Sequence, residues 1–129
     1  MADIENGTIV KAHYKTGIYI GEVMEDRNRF YLVKVLAVEK HPMQGDLHNP
    51  GKTEDVFFHQ RKALSFNEKA NVQKEAVHIY EQQEVPDYQE SLKHAVSKLK
   101  AKLTRRETEF NQNALHQLES LEKQYFKTK

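Results

Sequence analysis

The sequence contains no cysteine. That excludes disulfides, thiolate metal ligands, a cysteine nucleophile and a lipidated cysteine anchor. Its five glycines are scattered, and none forms a phosphate-cradling fingerprint. No apolar run approaches the roughly 20 residues that a membrane-spanning helix needs. The N-terminal MADIENG is acidic and polar, unlike a secretory signal. A large excess of either charge is missing too: the net charge is +1, so the chain as a whole has no strong field for polyanions. There is no internal repeat and no low-complexity segment. These absences lead us to expect a soluble cytoplasmic protein.

What is present is a compact core with much solvated surface, since 38% of the 129 residues are hydrophobic and 30% charged. The first 40 or so residues read as a β-meander. TIVKAHY (Thr8–Tyr14) is β-branched and aromatic, and Lys15-Thr16-Gly17 supplies a turn in which Gly17 can take positive φ. IYIGEVM (Ile18–Met24) is a second strand, with Gly21 as the place for a bend or bulge. Asp26–Arg29 is the next turn, and Phe30–Val38 the third strand. In that strand Phe30, Leu32, Leu36 and Val38 alternate with Tyr31, Val33, Val35 and Ala37, so it is apolar on both faces. Such a strand is central, or lies in a curled sheet covered outside.

Val56-Phe57-Phe58 and Ala63–Phe66 look like further short strands, and Asn67–Tyr80 fits helical turns, a last strand, or both. Five short strands in this span predict a small SH3-like barrel over residues 1–80. A polar linker, 81–86, ends in Pro86. Residues 87–129 carry the helical period. Asp87 is placed as an N-cap, with Glu90 three residues on. Leu92, Val96, Leu99 and Leu103 form one stripe. Thr104–Thr108 breaks it. Phe110, Ala114, Leu118, Leu121 and Tyr125 form a second stripe, widened by Leu115 and Phe126. The expected class is α+β: a small antiparallel β-barrel or meander followed by an α-helical hairpin, with one long bent helix as the alternative. The wider second stripe leaves area for the barrel, a second copy of the chain, or another protein's helix.

The richest chemistry lies in HPMQGDLHNP (His41–Pro50). His41, His48 and His59 lie near Asp46, Glu54 and Asp55, a set whose donor types suit zinc. Their spacing matches no compact ligand motif, so ordinary loop or surface histidines are expected. His41, Asp46 and Ser65 could supply a base, an orienter and a nucleophile, but no nucleophile elbow accompanies them. Pro42, Gly45, Asp46, Asn49 and Pro50 suit a stiff connector. Met43 and Leu47 exceed what a connector needs; they either tuck onto the barrel or meet a partner. The candidate contact residues are Met43, Gln44, Asp46, Leu47 and His48. No catalytic, cofactor or metal residue is assigned.

SLKHAVSKLKAKLTRR (Ser91–Arg106) holds six Lys/Arg and no acid. Net charge is −2 through Pro86 and +3 beyond it. On a helical wheel Lys93 and Lys100 flank the apolar stripe on one side, and Lys98, Lys102 and Arg105 on the other. Flanking cations of this kind snorkel along an apolar stripe, and cations near a helix end also follow the macrodipole. A dedicated nucleic-acid stripe is therefore the lesser reading, and an RNA- or ribosome-associated barrel the alternative function.

Taken together, YKTGIYIGEV (Tyr14–Val23), YLVKVLAVEKHPMQGDLHNP (Tyr31–Pro50), FFHQRKAL (Phe57–Leu64), PDYQESL (Pro86–Leu92) and SLEKQYF (Ser120–Phe126) resemble the kinase-associated protein B family of spore-forming Gram-positive bacteria. The resemblance spans nearly the whole chain and carries no defined catalytic or binding residue. It implies antiparallel β-structure with a helical extension. It also implies a non-enzymatic accessory that supports a sensor histidine kinase feeding the sporulation phosphorelay. The family has been described as a lipoprotein, yet this chain has no cysteine to acylate. Recruitment to the membrane would then depend on the kinase. The expected partner is that kinase, with no small-molecule substrate, and a homodimer remains open.

Overall fold

A computed structural model describes residues 4–44, 61–82 and 84–126. Among these, β1 (Ile9–Tyr14), β2 (Gly17–Arg27), β3 (Phe30–Lys40), β4 (Lys69–Gln73) and β5 (Val77–Ile79) precede α1 (Tyr88–Thr104) and α2 (Glu109–Tyr125). The strands form one antiparallel sheet in the order β4-β3-β2-β1-β5. Strands β4 and β5 sit at opposite edges, yet only a three-residue 3-10 turn, Lys74–Ala76, joins them. So short a link forces the sheet to curl until its edges approach. The expected α+β class holds, but among the described residues no hydrogen-bonded ladder between its edges closes the barrel-like sheet.

The β1–β2 turn departs from expectation. The positive φ falls on Lys15 (46°) and Thr16 (67°), not on Gly17. Two left-handed residues between the paired Tyr14 and Gly17 make a two-residue hairpin of the primed kind. Gly17 is needed for space: a Cβ there would lie 2.7 Å from the Tyr19 hydroxyl. Gly21 does mark a bulge. Pairing slips between Ile20 and Gly21, and a Cβ on Gly21 would lie 2.5 Å from Val33 Cγ1 and 2.6 Å from the Lys34 carbonyl. Strand β2 runs on to Arg27, so the second turn shrinks to Asn28-Arg29, with Asn28 at φ 67°.

Ala63–Phe66 is not a strand, and Val56–Phe58 lies outside the described residues. The reason for the first is where its backbone bonds go. The Ala63 N–H donates to Tyr125, the Leu64 N–H to Tyr19 and the Ser65 N–H to Glu68, all through side-chain oxygens. The ladder is taken up a few residues later by β4, and Asn67–Tyr80 holds both strand and helical turn.

Two hydrophobic clusters share β3. Val33 joins Val10, Ala12, Val23, Val72 and Val77 within the curl. Val35 and Val38 join Tyr19, Ala63, Leu92, Ala95, Val96, Leu99 and Leu118, which seals the helices onto the sheet. The apolar character of both rows of β3 is thus explained in part. Val33, Val35 and Ala37 are buried, whereas of the other row only Val38 is, and Phe30 is exposed. α1 and α2 form the expected hairpin; Asp87 caps α1 by accepting the Glu90 N–H, and Thr108 caps α2 by accepting the Asn111 N–H.

Candidate functional site

The end of β3 runs into four described residues, His41–Gln44, which carry the start of the sequence's most distinctive loop. His41 is fully buried, contrary to the expected loop or surface histidine. Its Nδ1 lies 2.9 Å from the Pro42 carbonyl and its Nε2 2.9 Å from the Tyr125 hydroxyl. A carbonyl only accepts, so Nδ1 carries the proton and Nε2 accepts from Tyr125. The same hydroxyl accepts the Ala63 N–H at 2.8 Å. Burial holds the His41 pKa below that of a free imidazole, with the Pro42 carbonyl opposing in part. His41 is therefore a neutral structural node joining β3, the 63–64 segment and the end of α2.

Three tyrosines complete this anchorage. Tyr19 accepts the Leu64 N–H at 3.3 Å, Tyr88 donates to the Leu64 carbonyl, and Tyr125 takes Ala63 as above. Burial raises all three phenol pKa values, with Tyr88 pushed up to about 12. They stay protonated and able to donate. Ser91, on α1, adds a cross-tie by accepting the Val38 N–H at 2.9 Å. In the sequence Tyr125 stands only as an apolar stripe member; a hydroxyl at a buried stripe position is the signal that points to a polar partner.

Gln44 is 3% exposed, and its amide closes a double hydrogen bond on Arg61. Its Oε1 accepts the Arg61 N–H at 2.8 Å, and its Nε2 donates to the carbonyls of Arg61 at 2.9 Å and Pro42 at 3.0 Å. Its side chain is therefore committed to holding residues 44 and 61 together. Met43 is only half-buried. Its N–H donates to Thr16 Oγ1 at 3.0 Å. A β-branched residue at positive φ is uncommon, so the strained β1–β2 turn is used to fix Met43. Asp46, Leu47 and His48 lie outside the described residues, as do His59, Glu54 and Asp55. Among the described residues no group of three His, Asp or Glu could hold a metal ion. Ser65 is exposed, and its N–H is bonded to Glu68.

Met43 and Gln44 line a cleft of about 340 Å³ against the tip of the helical hairpin. Leu99, Leu103, Phe110 and Ala114 line it from the helices. Lys102, Arg105, Arg106 and Asn111 supply the polar part. The helix's two basic flanks have thus diverged. On one, Lys100 pairs with Glu122 at 3.0 Å and Lys93 lies over the Phe126 ring. On the other, Lys102 and Arg105 reach this cleft, while Lys98 lines a separate groove with Glu39 and Glu90. The helical wheel places these cations on a flank but does not show that Met43 comes to the same place.

Among the described residues no helix is long and apolar enough to cross a membrane. The family description "Kinase associated protein B" matches residues 14–126. "Kinase-associated lipoprotein B" of Bacillus subtilis (strain 168) is 49% identical over 126 residues, which are 98% of this chain and 98% of that protein. An X-ray crystal structure of kinase-associated protein B from Bacillus cereus matches with a TM-score of 0.81 at 40% identity, covering 95% of this chain and 98% of that one. Matched over most of its length by the family and end to end by a relative of this similarity, the chain belongs to the kinase-associated protein B family.

Proposed function

We propose that this protein is a non-catalytic cytoplasmic accessory that binds a sensor histidine kinase and promotes its signalling into the sporulation phosphorelay. One observation carries the reading: Met43, fixed by Thr16 and by the Gln44–Arg61 clamp, stands at the edge of an apolar cleft on the helical hairpin. An apolar residue whose backbone is already fixed beside a groove has less freedom left to lose when a partner covers it. The family name supports a kinase as the partner, and its being a sensor histidine kinase is part of the proposal. A histidine kinase exchanges between arrangements of its dimerisation and catalytic regions. A protein that binds one arrangement better shifts that equilibrium by its differential affinity, with no chemistry of its own. Asp46, Leu47 and His48 belong to the proposed contact with Met43, and Gln44 serves it as the clamp.

The test is binding of the purified kinase, followed by calorimetry and by its autophosphorylation rate. Replacing Met43 and Leu47 together with Ser weakens kinase binding while leaving the thermal midpoint nearly unchanged. A large fall in the midpoint would make both residues core, and unchanged binding would remove this surface from the interface.

A further inference from the structure

The cleft between Met43 and the hairpin tip has an uncommon lining. Leu99 and Ala114 are buried in its floor, Leu103 and Phe110 are half-buried, and Met43 forms its lip. Its rim carries three exposed cations, Lys102, Arg105 and Arg106. None of the three has a carboxylate partner among the described residues, unlike Lys100 on the opposite flank. No acidic residue is among the described lining. Placing cations near the end of α1 suits its dipole, but that does not require them to surround an apolar depression.

We infer that this cleft docks an acidic amphipathic segment of a partner protein: one apolar anchor side chain seated on Leu99, Leu103 and Ala114, flanked by carboxylates that pair with Lys102, Arg105 and Arg106. The volume is at the low end for small-molecule cavities and suits a single anchor of a larger partner. Charge complementarity selects carboxylates. The mostly aliphatic floor favours an apolar protein side chain over a nucleic acid, whose bases seek aromatic platforms to stack on. This inference rests on the accessory-protein reading above and names the chemistry of the segment recognised. Rim charges of this kind act mainly on association and on salt dependence.

The probe is a fluorescein-labelled helical peptide with a leucine stripe flanked by glutamates, followed by anisotropy on the full chain at low and moderate salt. The acidic peptide binds, binding weakens as salt rises, and the glutamine version binds at least about tenfold more weakly. Arg105→Glu with Arg106→Glu lowers affinity about tenfold or more, with only a small fall in the thermal midpoint, because both side chains are exposed and the two anions oppose only the dipole at the end of α1. Equal binding of the acidic and glutamine peptides, or insensitivity to the charge reversal, would overturn the inference. So would preferential binding of a labelled single-stranded RNA, or sedimentation showing that this face joins two copies of the chain. The same double variant in the kinase-binding assay separates the two proposals. A kinase bound equally well with Arg105 and Arg106 reversed sinks the cleft and leaves the accessory role standing. A kinase that never binds sinks the role, while the peptide titration still decides the cleft.

Discussion

His41 shows how much one residue's meaning depends on its surroundings. In the sequence it heads a loop rich in candidate ligands; in the fold it is sealed and bonded at both ring nitrogens. Its folded pKa is depressed from 6.5, so the unfolded chain takes up the proton first as pH falls. The stability that neutral His41 provides is complete above its unfolded pKa and is lost progressively below it. The thermal midpoint therefore falls between about pH 7.5 and about pH 5.5, and His41→Gln flattens that fall. Tyr125→Phe removes the donor to His41 Nε2 and the acceptor for the Ala63 N–H together. Leaving buried polar groups unpaired costs about 1–3 kcal/mol, readable in urea unfolding at neutral pH. A Tyr125→Phe protein as stable as the parent would show that the node is not structural. Thr16, Gln44 and Ser91 follow the same pattern: each is an ordinary polar residue in the sequence whose task is set by a partner far along the chain.

At the level of elements, local rules serve the helices well and locate the two hairpin turns, though not which residues take positive φ. The Asp87 cap, the two helical stripes and the break between them all appear where periodicity and capping place them. The Gly21 bulge is legible because glycine weakens a strand interior and so tends to sit where the backbone must bend or be closely approached. Gly21→Ala presses a Cβ onto a backbone carbonyl of the neighbouring strand, which cannot swing aside as a side chain could. It destabilises by about 1–3 kcal/mol as overpacking does, measured by the denaturant midpoint, and an unchanged midpoint would mean that the β2–β3 pair relaxes freely. The Ala63–Phe66 segment has the apolar pattern of a strand without being one. Its donors are instead taken by Tyr19, Glu68 and Tyr125, a choice invisible to any local window.

Across the whole molecule, sheet and hairpin are not independent. Val35, Val38 and Tyr19 share one buried cluster with Leu92, Val96, Leu99 and Leu118. Each large apolar side chain buried there is worth about 1.5–3 kcal/mol. Removing several exceeds much of the roughly 5–15 kcal/mol that stabilises a domain. The division into 1–80, 81–86 and 87–129 is thus proposed as one of chain topology. Residues 1–86 expressed alone are expected to give poorly dispersed amide NMR spectra and no cooperative thermal transition. A dispersed spectrum would make the sheet a separable domain.

The sequence by itself determined the class of the protein: meander, linker and two amphipathic helices, because strand alternation, turn chemistry, caps and helical period are local properties. It also carried the family resemblance, since that rests on motifs. Only the tertiary structure decided that His41 is a sealed node, that Gln44 is a clamp, and that Met43 lines the same cleft as Lys102, Arg105 and Arg106. Those outcomes depend on residues far apart in the chain sharing a hydrogen bond or a surface, and no periodicity or spacing rule encodes which distant side chain answers a given donor.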